Sequence, residues 1–187
     1  MVDIVPFKGL LFNLDKVGSM SQVVAPPYDV ITSSQQEALY DKSPHNIVRL
    51  ILGKEVSGDN EKDNRYMRSA KTYHDWVENG ILIQDDRPGF YVYSQDYIFY
   101  GNNVRRLGFI ARVRLEDFSK GNICPHEFTL AKAKQDRSQL LQACHANFSP
   151  IFGLFSDPSG AVDRKLEETI QQPPLGTIEE GGIVHKL

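Results

Sequence analysis

One short stretch of the chain gathers most of the side chains that could do acid, base or anion-binding chemistry. Its polar residues are His126, Glu127, Thr129, Lys134, Asp136 and Arg137. The stretch follows a β-rich region and enters a predicted helix, a place where folds often build polar sites. Lys134 and Arg137 are three positions apart, so they share one face of that helix. Two cations beside the free N–H groups of a helix N-terminus suit an anion such as a phosphate.

The acidic side chains of this stretch allow two interpretations. In the first, Glu127 or Asp136 positions a metal ion or acts as a base, beside a phosphate that the cations and the Thr129 hydroxyl bind. In the second, Lys132 and Asp136 form an exposed ion pair of small energetic value, and Arg137 pairs with Glu127 to fix the loop against the helix. The residues alone slightly favour the second interpretation.

Residue spacing disfavours metal and thiol chemistry. A zinc-protease helix needs a second histidine four positions after His126, where this chain has Leu130. The other histidines are far away in sequence, so no metal site is predicted.

Cys124 and His126 would share one face of a strand and could form a nucleophilic pair. No oxyanion hole or third orienting group accompanies them, so a structural cysteine is favoured.

A second candidate element lies near the N-terminus, in the sequence Pro26-Pro27-Tyr28-Asp29. Two prolines force an extended backbone, so the turn that follows is rigid and presents the carboxylate of Asp29. The alternative is an ordinary Asx turn that leads into the next helix. Composition alone favours the alternative.

Arg49 is the one charged residue in the apolar run Ile47–Leu52, which predicts a buried strand. A buried arginine needs an acidic or anionic partner, which would be Asp29 or a ligand phosphate. Asn147 stands just after the predicted helix, where it either supports the site or only stops the helix.

Composition excludes several classes of protein. The chain has 187 residues and a net charge of −3 with a pI near 5.9, whereas sequence-independent nucleic-acid binders carry a basic excess. It has no apolar run of about 18 residues and no secretory leader, so no membrane association is expected. Its two cysteines form no metal or redox spacing. We therefore expect a cytoplasmic protein with reduced thiols.

Hydrophobic periodicity predicts an α+β fold with a mixed sheet and short helices, rather than a doubly wound sheet. Thr32 and Gln35 form a predicted capping box. The predicted helices are one that ends at about Asp41, one capped by Asp59 or Asn60 and stopped at Gly80, one over Leu130–Ala146 and one over Ala161–Gln171. The predicted hairpins are Phe90–Phe99 with Arg105–Leu115, and Thr177–His185. A buried strand is predicted over Ser149–Phe155. We expect one domain over residues 1–187. Because the sequence stops inside a predicted strand, we expect it to be the N-terminal portion of a longer protein.

Several motifs, in order along most of the chain, resemble the prokaryotic family catalogued as domain of unknown function 1015. They are Ile4-Val5-Pro6-Phe7-Lys8-Gly9, Val24-Ala25-Pro26-Pro27-Tyr28-Asp29-Val30-Ile31, Asn46-Ile47-Val48-Arg49-Leu50-Ile51-Leu52-Gly53, Gly108-Phe109-Ile110-Ala111, His126-Glu127-Phe128-Thr129, Lys134-Gln135-Asp136-Arg137 and Ala146-Asn147-Phe148-Ser149-Pro150-Ile151-Phe152-Gly153. The chain departs from the family at Ala131-Lys132-Ala133, where a Gly-Pro-like turn is usual. Members are about twice as long. Their later half carries an Asp-Gly-His-His-Arg motif that resembles the phosphate-binding element of the ParB/sulfiredoxin superfamily and is absent here.

The resemblance implies that the full-length protein binds a nucleotide, with or without Mg²⁺, or a phosphorylated small molecule. Phosphoryl transfer, as by a small-molecule kinase, is the implied reaction, and the resemblance leaves open whether 187 residues suffice for it. The implied catalytic residues are Asp29, His126 and Glu127, with Asp29 or Glu127 as the base. The implied anion-binding residues are Arg49, Thr129, Lys134 and Arg137, supported by Tyr28, Asp136 and Asn147.

Two other functions stay open at this point. A DNA-associated module, by analogy with partition proteins, is disfavoured by the acidic charge. It would require a contiguous basic face, for which the sources are Arg105, Arg106, Arg112 and Arg114. A structural or regulatory domain without chemistry is the third possibility. The substrate and the oligomeric state do not follow from the sequence.

Overall fold

A computed structural model describes residues 2–126 and 129–187. The strands of this part are β1 (Ile4–Val5), β2 (Leu10–Phe12), β3 (Leu82–Gln84), β4 (Tyr91–Phe99), β5 (Asn102–Ile110), β6 (Arg112–Val113), β7 (Thr177–Glu180) and β8 (Ile183–Lys186). The helices are α1 (Leu14–Val17), α2 (Met20–Val23), α3 (Ser33–Lys42), α4 (Val48–Ile51), α5 (Arg65–Glu78), α6 (Ala131–Cys144) and α7 (Ala161–Thr169). The predicted α+β class is therefore confirmed.

The chain divides into two compact units, and the expected single domain stays a prediction. The sheet unit comprises Met1–Gly9, Gln84–Ile123 and Ile151–Leu187. The helical unit comprises Leu10–Ile83 and Cys124–Pro150. The helical unit contains α1 to α6 and almost all of the β2–β3 pair.

The sheet unit is built on four strands in the order β5-β4-β8-β7, with every neighbouring pair antiparallel. The tight turns of the β4–β5 and β7–β8 hairpins require antiparallel pairing, since parallel strands need long crossovers. The β8 strand also runs antiparallel to β4, so this sheet is antiparallel rather than mixed as expected. The predicted β4–β5 hairpin is confirmed. Its two-residue loop has positive φ at Tyr100 (47°) and Gly101 (76°), the geometry that matches the natural twist of paired strands.

The helical unit packs around two adjoining hydrophobic clusters. The first has Leu50, Trp76, Ile81 and Leu82 at its centre. The second joins α5 to α6 through Ala70, Leu140 and Cys144. Because α5 and α6 are held together by buried side chains, polar groups that start these helices are also brought close.

The helix α3 shows how the sequence directs local structure. The Thr32 hydroxyl accepts from Gln35 N, and the Gln35 side chain accepts from Thr32 N, so the predicted capping box is present. The start of α5 differs from the prediction, because Asn64 rather than Asp59 or Asn60 is its N-cap. Asn60 instead closes a loop by accepting from the backbone N–H groups of Lys62 and Asp63.

The predicted strand over Ile47–Leu52 is wrong, because this segment forms the short helix α4. A short apolar run does not distinguish a buried strand from a buried helix. The fully buried Asn46 decides the outcome. Its side chain accepts from Val48 N at 3.0 Å and donates to the Val24 carbonyl at 2.8 Å, which starts the helical turn.

The predicted buried strand over Ser149–Phe155 is also wrong. No strand forms in these described residues, and the side chains of Ile151 and Leu154 are 93% and 89% exposed. The apolar residues that predict the strand are present, but no described strand pairs with this segment.

Candidate functional site

Tyr28 and Arg137 join the two parts of the chain that the sequence marks as candidates. The guanidinium carbon of Arg137 lies 3.6 Å from the centre of the Tyr28 ring. Tyr28 opens a short 3-10 turn after Pro27, whose backbone is extended (φ −52°, ψ 138°) as a proline pair requires. A cation over an aromatic face contributes about 0.5–2 kcal/mol, depending on burial. The contact therefore links the Pro-Pro-Tyr-Asp turn to α6.

The guanidinium of Arg137 has further partners that fix its position. Its Nη2 donates to the Ile51 carbonyl at 2.8 Å, at the C-terminal end of α4. Its Nε donates to Asp136 Oδ2 at 2.8 Å. Its Nη1 is buried and has no hydrogen-bond partner among the described residues. The guanidinium group of Arg137 is thus held in place, and its Nη1 group has no acceptor among the described residues.

A small cavity borders this group, lined in part by Ile51, Gly53, Arg65, Tyr66 and Arg137. Its volume is about 10 Å³, which is close to the space that one water molecule needs. The cavity is too small for a nucleotide or a sugar phosphate. A ligand of that size would have to lie on the surface rather than in this interior space.

Asp136 is the central acceptor of the cluster. Its Oδ1 accepts from Arg65 Nη2 at 2.5 Å and from Tyr66 OH at 2.7 Å. Burial alone would raise the pKa of Asp136, but the hydrogen bonds from Tyr66 and Arg137 and the charges of Arg137 and Arg65 outweigh it and hold the pKa below its usual value. Asp136 is therefore an ionised group that holds Arg137 in position.

Arg65 and Tyr66 are part of the cluster, and sequence reasoning did not select them. Both stand in the first turn of α5, and Arg65 also pairs with Glu55 at 3.0 Å. The available signal is indirect. A half-buried aspartate on α6 requires donors, and the helix that packs against α6 is the natural source.

Among the described residues, the partner of Arg49 is Tyr40 rather than Asp29. Its Nη2 donates to the Tyr40 carbonyl at 2.7 Å, and its guanidinium carbon lies 4.3 Å from the centre of the Tyr40 ring. Tyr40 is in the last turn of α3, where carbonyl groups lack helical partners. Because α4 is a helix and not a strand, Arg49 caps α3 instead of contacting Asp29.

The remaining candidates lie on the surface or outside the described part. Asp29, His126, Thr129 and Lys134 are exposed. Asp29 and Lys134 make no side-chain hydrogen bond or ion pair with any described residue. Asn147 accepts from Ser149 N at 3.2 Å, which is the local turn expected of a helix stop. Glu127 lies outside the described residues.

The helix α6 begins after Leu130, whose apolar side chain cannot act as a cap. Within residues 2–126 and 129–187, no side chain accepts a hydrogen bond from the first N–H groups of the helix. Lys134 is in the second turn, where its own N–H bonds to the Leu130 carbonyl at 3.1 Å. The first N–H groups of α6 and the exposed ammonium group of Lys134 both carry positive charge in the same part of α6 as Arg137.

Metal and thiol chemistry find little support in the described residues. Within residues 2–126 and 129–187, no group of three or more His, Cys, Asp and Glu side chains could hold a metal ion. Burial raises the pKa of the Cys144 thiol to about 11, so this cysteine is a structural residue of the α5–α6 interface. Cys124 is exposed.

Comparison with known families gives a match over almost the whole chain. Residues 4–187 match the family described as "Protein of unknown function (DUF1015)". The chain belongs to this family. No curated protein and no solved structure gives a significant match. Membership of DUF1015 confirms the resemblance that the motifs predict, while the relation to the ParB/sulfiredoxin superfamily stays a prediction.

The arginines that a DNA-associated DUF1015 module would need are separated in the sheet unit. Arg105 and Arg106 are neighbours on β5 and therefore point to opposite faces of the sheet. Arg105 binds Asp96 at 2.5 Å, and Arg114 pairs with Asp3 at 3.6 Å. Arg105 and Arg106 therefore do not share one basic face, and Arg105 and Arg114 are each paired with a carboxylate.

Membrane insertion finds no support in the helices of this DUF1015 chain. Among the described residues, none of the helices has the length and apolarity that crossing a bilayer requires. The predicted cytoplasmic location stays a prediction.

Proposed function

We propose that this chain binds a phosphorylated small molecule or a nucleotide on the surface formed by Tyr28, Asp29, Lys134 and Arg137. The observation that carries the proposal is the 3.6 Å stacking of Arg137 on Tyr28, because it brings two motifs of the family into one place. Both motifs then border the N-terminal part of α6. We refer to these four residues as the α6 surface.

Each residue of the α6 surface has a distinct role in the proposal. Lys134 provides a mobile cation for phosphate oxygens, and the first N–H groups of α6 provide further donors. Arg137 provides a fixed positive charge, since Asp136 and the Ile51 carbonyl already accept from its Nε and Nη2 groups. Tyr28 provides an aromatic edge beside that charge. The arrangement favours an anion over a neutral ligand.

Phosphoryl transfer is the reaction that the superfamily resemblance supports, and we assign the role of base to Asp29. The acceptor hydroxyl would give its proton to the Asp29 carboxylate, while the terminal phosphoryl group passes from the nucleotide to that hydroxyl oxygen. Any Mg²⁺ would arrive with the nucleotide and be held mainly by phosphate oxygens and water, since it usually needs only one or two protein carboxylates.

A binding experiment with a matched control tests the proposal. Calorimetric titrations with ATP, ADP and a panel of sugar phosphates should detect binding to the unmodified chain. Lys134→Ala should weaken it by about tenfold or more, because a charged contact is lost. Lys132→Ala is the control, since Lys132 is exposed on the same helix but two positions away and therefore on another face. Equal effects of the two substitutions, or no binding by any of these compounds, would contradict the proposal.

A further inference from the structure

The four-stranded sheet has two faces of different character. Side chains alternate along each strand, so Tyr93, Gln95 and Tyr97 of β4 share one face. Ser94 and Asp96 share the other. In register with Gln95 stand Arg106 of β5 and His185 of β8. Arg106, Gln95 and His185 therefore form a row across three neighbouring strands, at intervals of about 4.8 Å. We call this side of the sheet the tyrosine face.

Exposure differs along the tyrosine face. Arg106 is exposed, whereas Tyr93, Gln95, Tyr97 and His185 are half-buried. The guanidinium of Arg106 is therefore the part of this face that a dissolved ligand reaches first.

The polar groups of the tyrosine face are already linked to one another. Tyr93 OH and His185 Nδ1 lie 2.5 Å apart. Arg106 Nη1 donates to Gln95 Oε1 at 3.3 Å, which is a long hydrogen bond. The guanidinium carbon of Arg106 lies 5.7 Å from the centre of the Tyr97 ring and 5.7 Å from that of Phe152. Arg106 is thus close to two rings but in tight contact with neither.

The charges of the sheet differ between its two faces. Asp96 binds both Arg105 and Lys186 on the face opposite the tyrosine face. Arg106 has no carboxylate partner among the described residues. Glu180 is on the tyrosine face but stands at the end of β7, opposite Ile183 and away from Arg106 in the register. The centre of this face therefore carries a cation that is not neutralised.

We propose that the tyrosine face is a second binding site, for a small planar anion that has an aromatic ring and one carboxylate or phosphate group. Arg106 pairs with the negative charge, and Gln95 and the Tyr93–His185 pair supply hydrogen bonds. The rings of Tyr97 and Phe152 stack on the aromatic part. A nucleic-acid polymer is a poor fit, since the face centres on one cation and the chain has a net charge of −3.

Titrations followed by NMR on the isotope-labelled chain test this site. The probes are AMP and para-hydroxybenzoate, which share the chemistry and represent the two sources of the negative charge, with inorganic phosphate as the ring-free comparison. We expect saturable shifts of the Arg106 and His185 signals with at least one aromatic probe. The probe that binds more tightly identifies phosphate or carboxylate as the preferred anion.

Matched variants make the test specific. Arg106→Gln should weaken binding by about tenfold or more, whereas Arg105→Gln, its neighbour on the opposite face, should leave the affinity unchanged. Lys134→Ala distinguishes binding at this site from binding at the α6 surface. AMP should still shift the Arg106 signals in that variant. The inference is wrong if neither aromatic probe shifts these signals, if inorganic phosphate binds as tightly as both, or if Arg105→Gln has the same effect as Arg106→Gln.

Discussion

Arg65 on α5 donates a hydrogen bond to Asp136 on α6 across 2.5 Å. The carboxylate that accepts this bond also holds Arg137, and Arg137 stacks on Tyr28. One half-buried aspartate therefore connects the packing of two helices to the surface that we propose as a binding site. Substitutions at Asp136 should affect both stability and ligand affinity.

The Asp136→Asn substitution should destabilise the chain. It removes the negative charge between two partly buried guanidinium groups, and the side chain of Asp136 is only 14% exposed. We expect the free energy of unfolding in urea to fall by about 2 kcal/mol, somewhat less than for a fully buried ion pair. Asp75→Asn is the control, since Asp75 is exposed on α5, and it should change stability by less than about 0.5 kcal/mol. Equal effects of the two substitutions would contradict the account.

The same carboxylate should make stability depend on pH. Its pKa in the folded chain is lowered from 3.8, so its contribution is present above the unfolded value. The contribution is lost as the pH falls through the folded value. The difference in unfolding free energy between the wild type and Asp136→Asn should be constant above about pH 5 and shrink below about pH 4. Urea titrations at several pH values measure it, and a difference that grows in acid would contradict the assignment.

Arg49→Gln should reduce stability without changing ligand affinity. Arg49 donates to the Tyr40 carbonyl at the end of α3, and the loss of a charged hydrogen bond costs about 1.5–3 kcal/mol. Urea unfolding measures the change in stability. Lys42→Gln serves as the control, since Lys42 is exposed in α3, the helix that contains Tyr40. If Arg49→Gln weakens binding of a phosphorylated ligand but leaves stability intact, then Arg49 belongs to the site after all.

Gly9→Ala should destabilise the sheet unit because of a steric clash. A Cβ at Gly9 would lie 2.7 Å from the Tyr91 ring and hydroxyl, and Gly9 N donates to that hydroxyl at 2.6 Å. We expect a loss of about 1–3 kcal/mol, as for an overpacked core. Gly108→Ala is the matched control, because a Cβ there meets no atom within 4 Å. Thermal unfolding of both variants should show a lower midpoint for Gly9→Ala alone.

The features that the sequence predicted well depend on local interactions. The α3 capping box needs only Thr32 and Gln35, and the β4–β5 hairpin needs only alternating strands with a glycine in the turn. The helix that carries Lys134 and Arg137 was also predicted from local periodicity. Local rules of this kind do not depend on what packs against the element.

The features that the sequence did not predict depend on distant contacts. Ile47–Leu52 is apolar in either a strand or a helix, and Asn46 decides between them through bonds to the carbonyls of Gln22 and Val24. The contact of Arg65 with Asp136 depends on the packing of α5 against α6. The position of Arg49 changed for the same reason, since its direction follows from α4 being helical.

The most direct test of the proposed function follows the Nε–H signal of Arg137 by NMR during a titration with the tightest phosphorylated ligand from the calorimetric panel. The account predicts a saturable shift of this signal and of the signals of Lys134 and Tyr28. It also predicts that Lys134→Ala moves the midpoint of the titration to a higher ligand concentration. If the ligand binds while the signals of Tyr28, Lys134 and Arg137 stay unchanged, then the α6 surface is not the binding site.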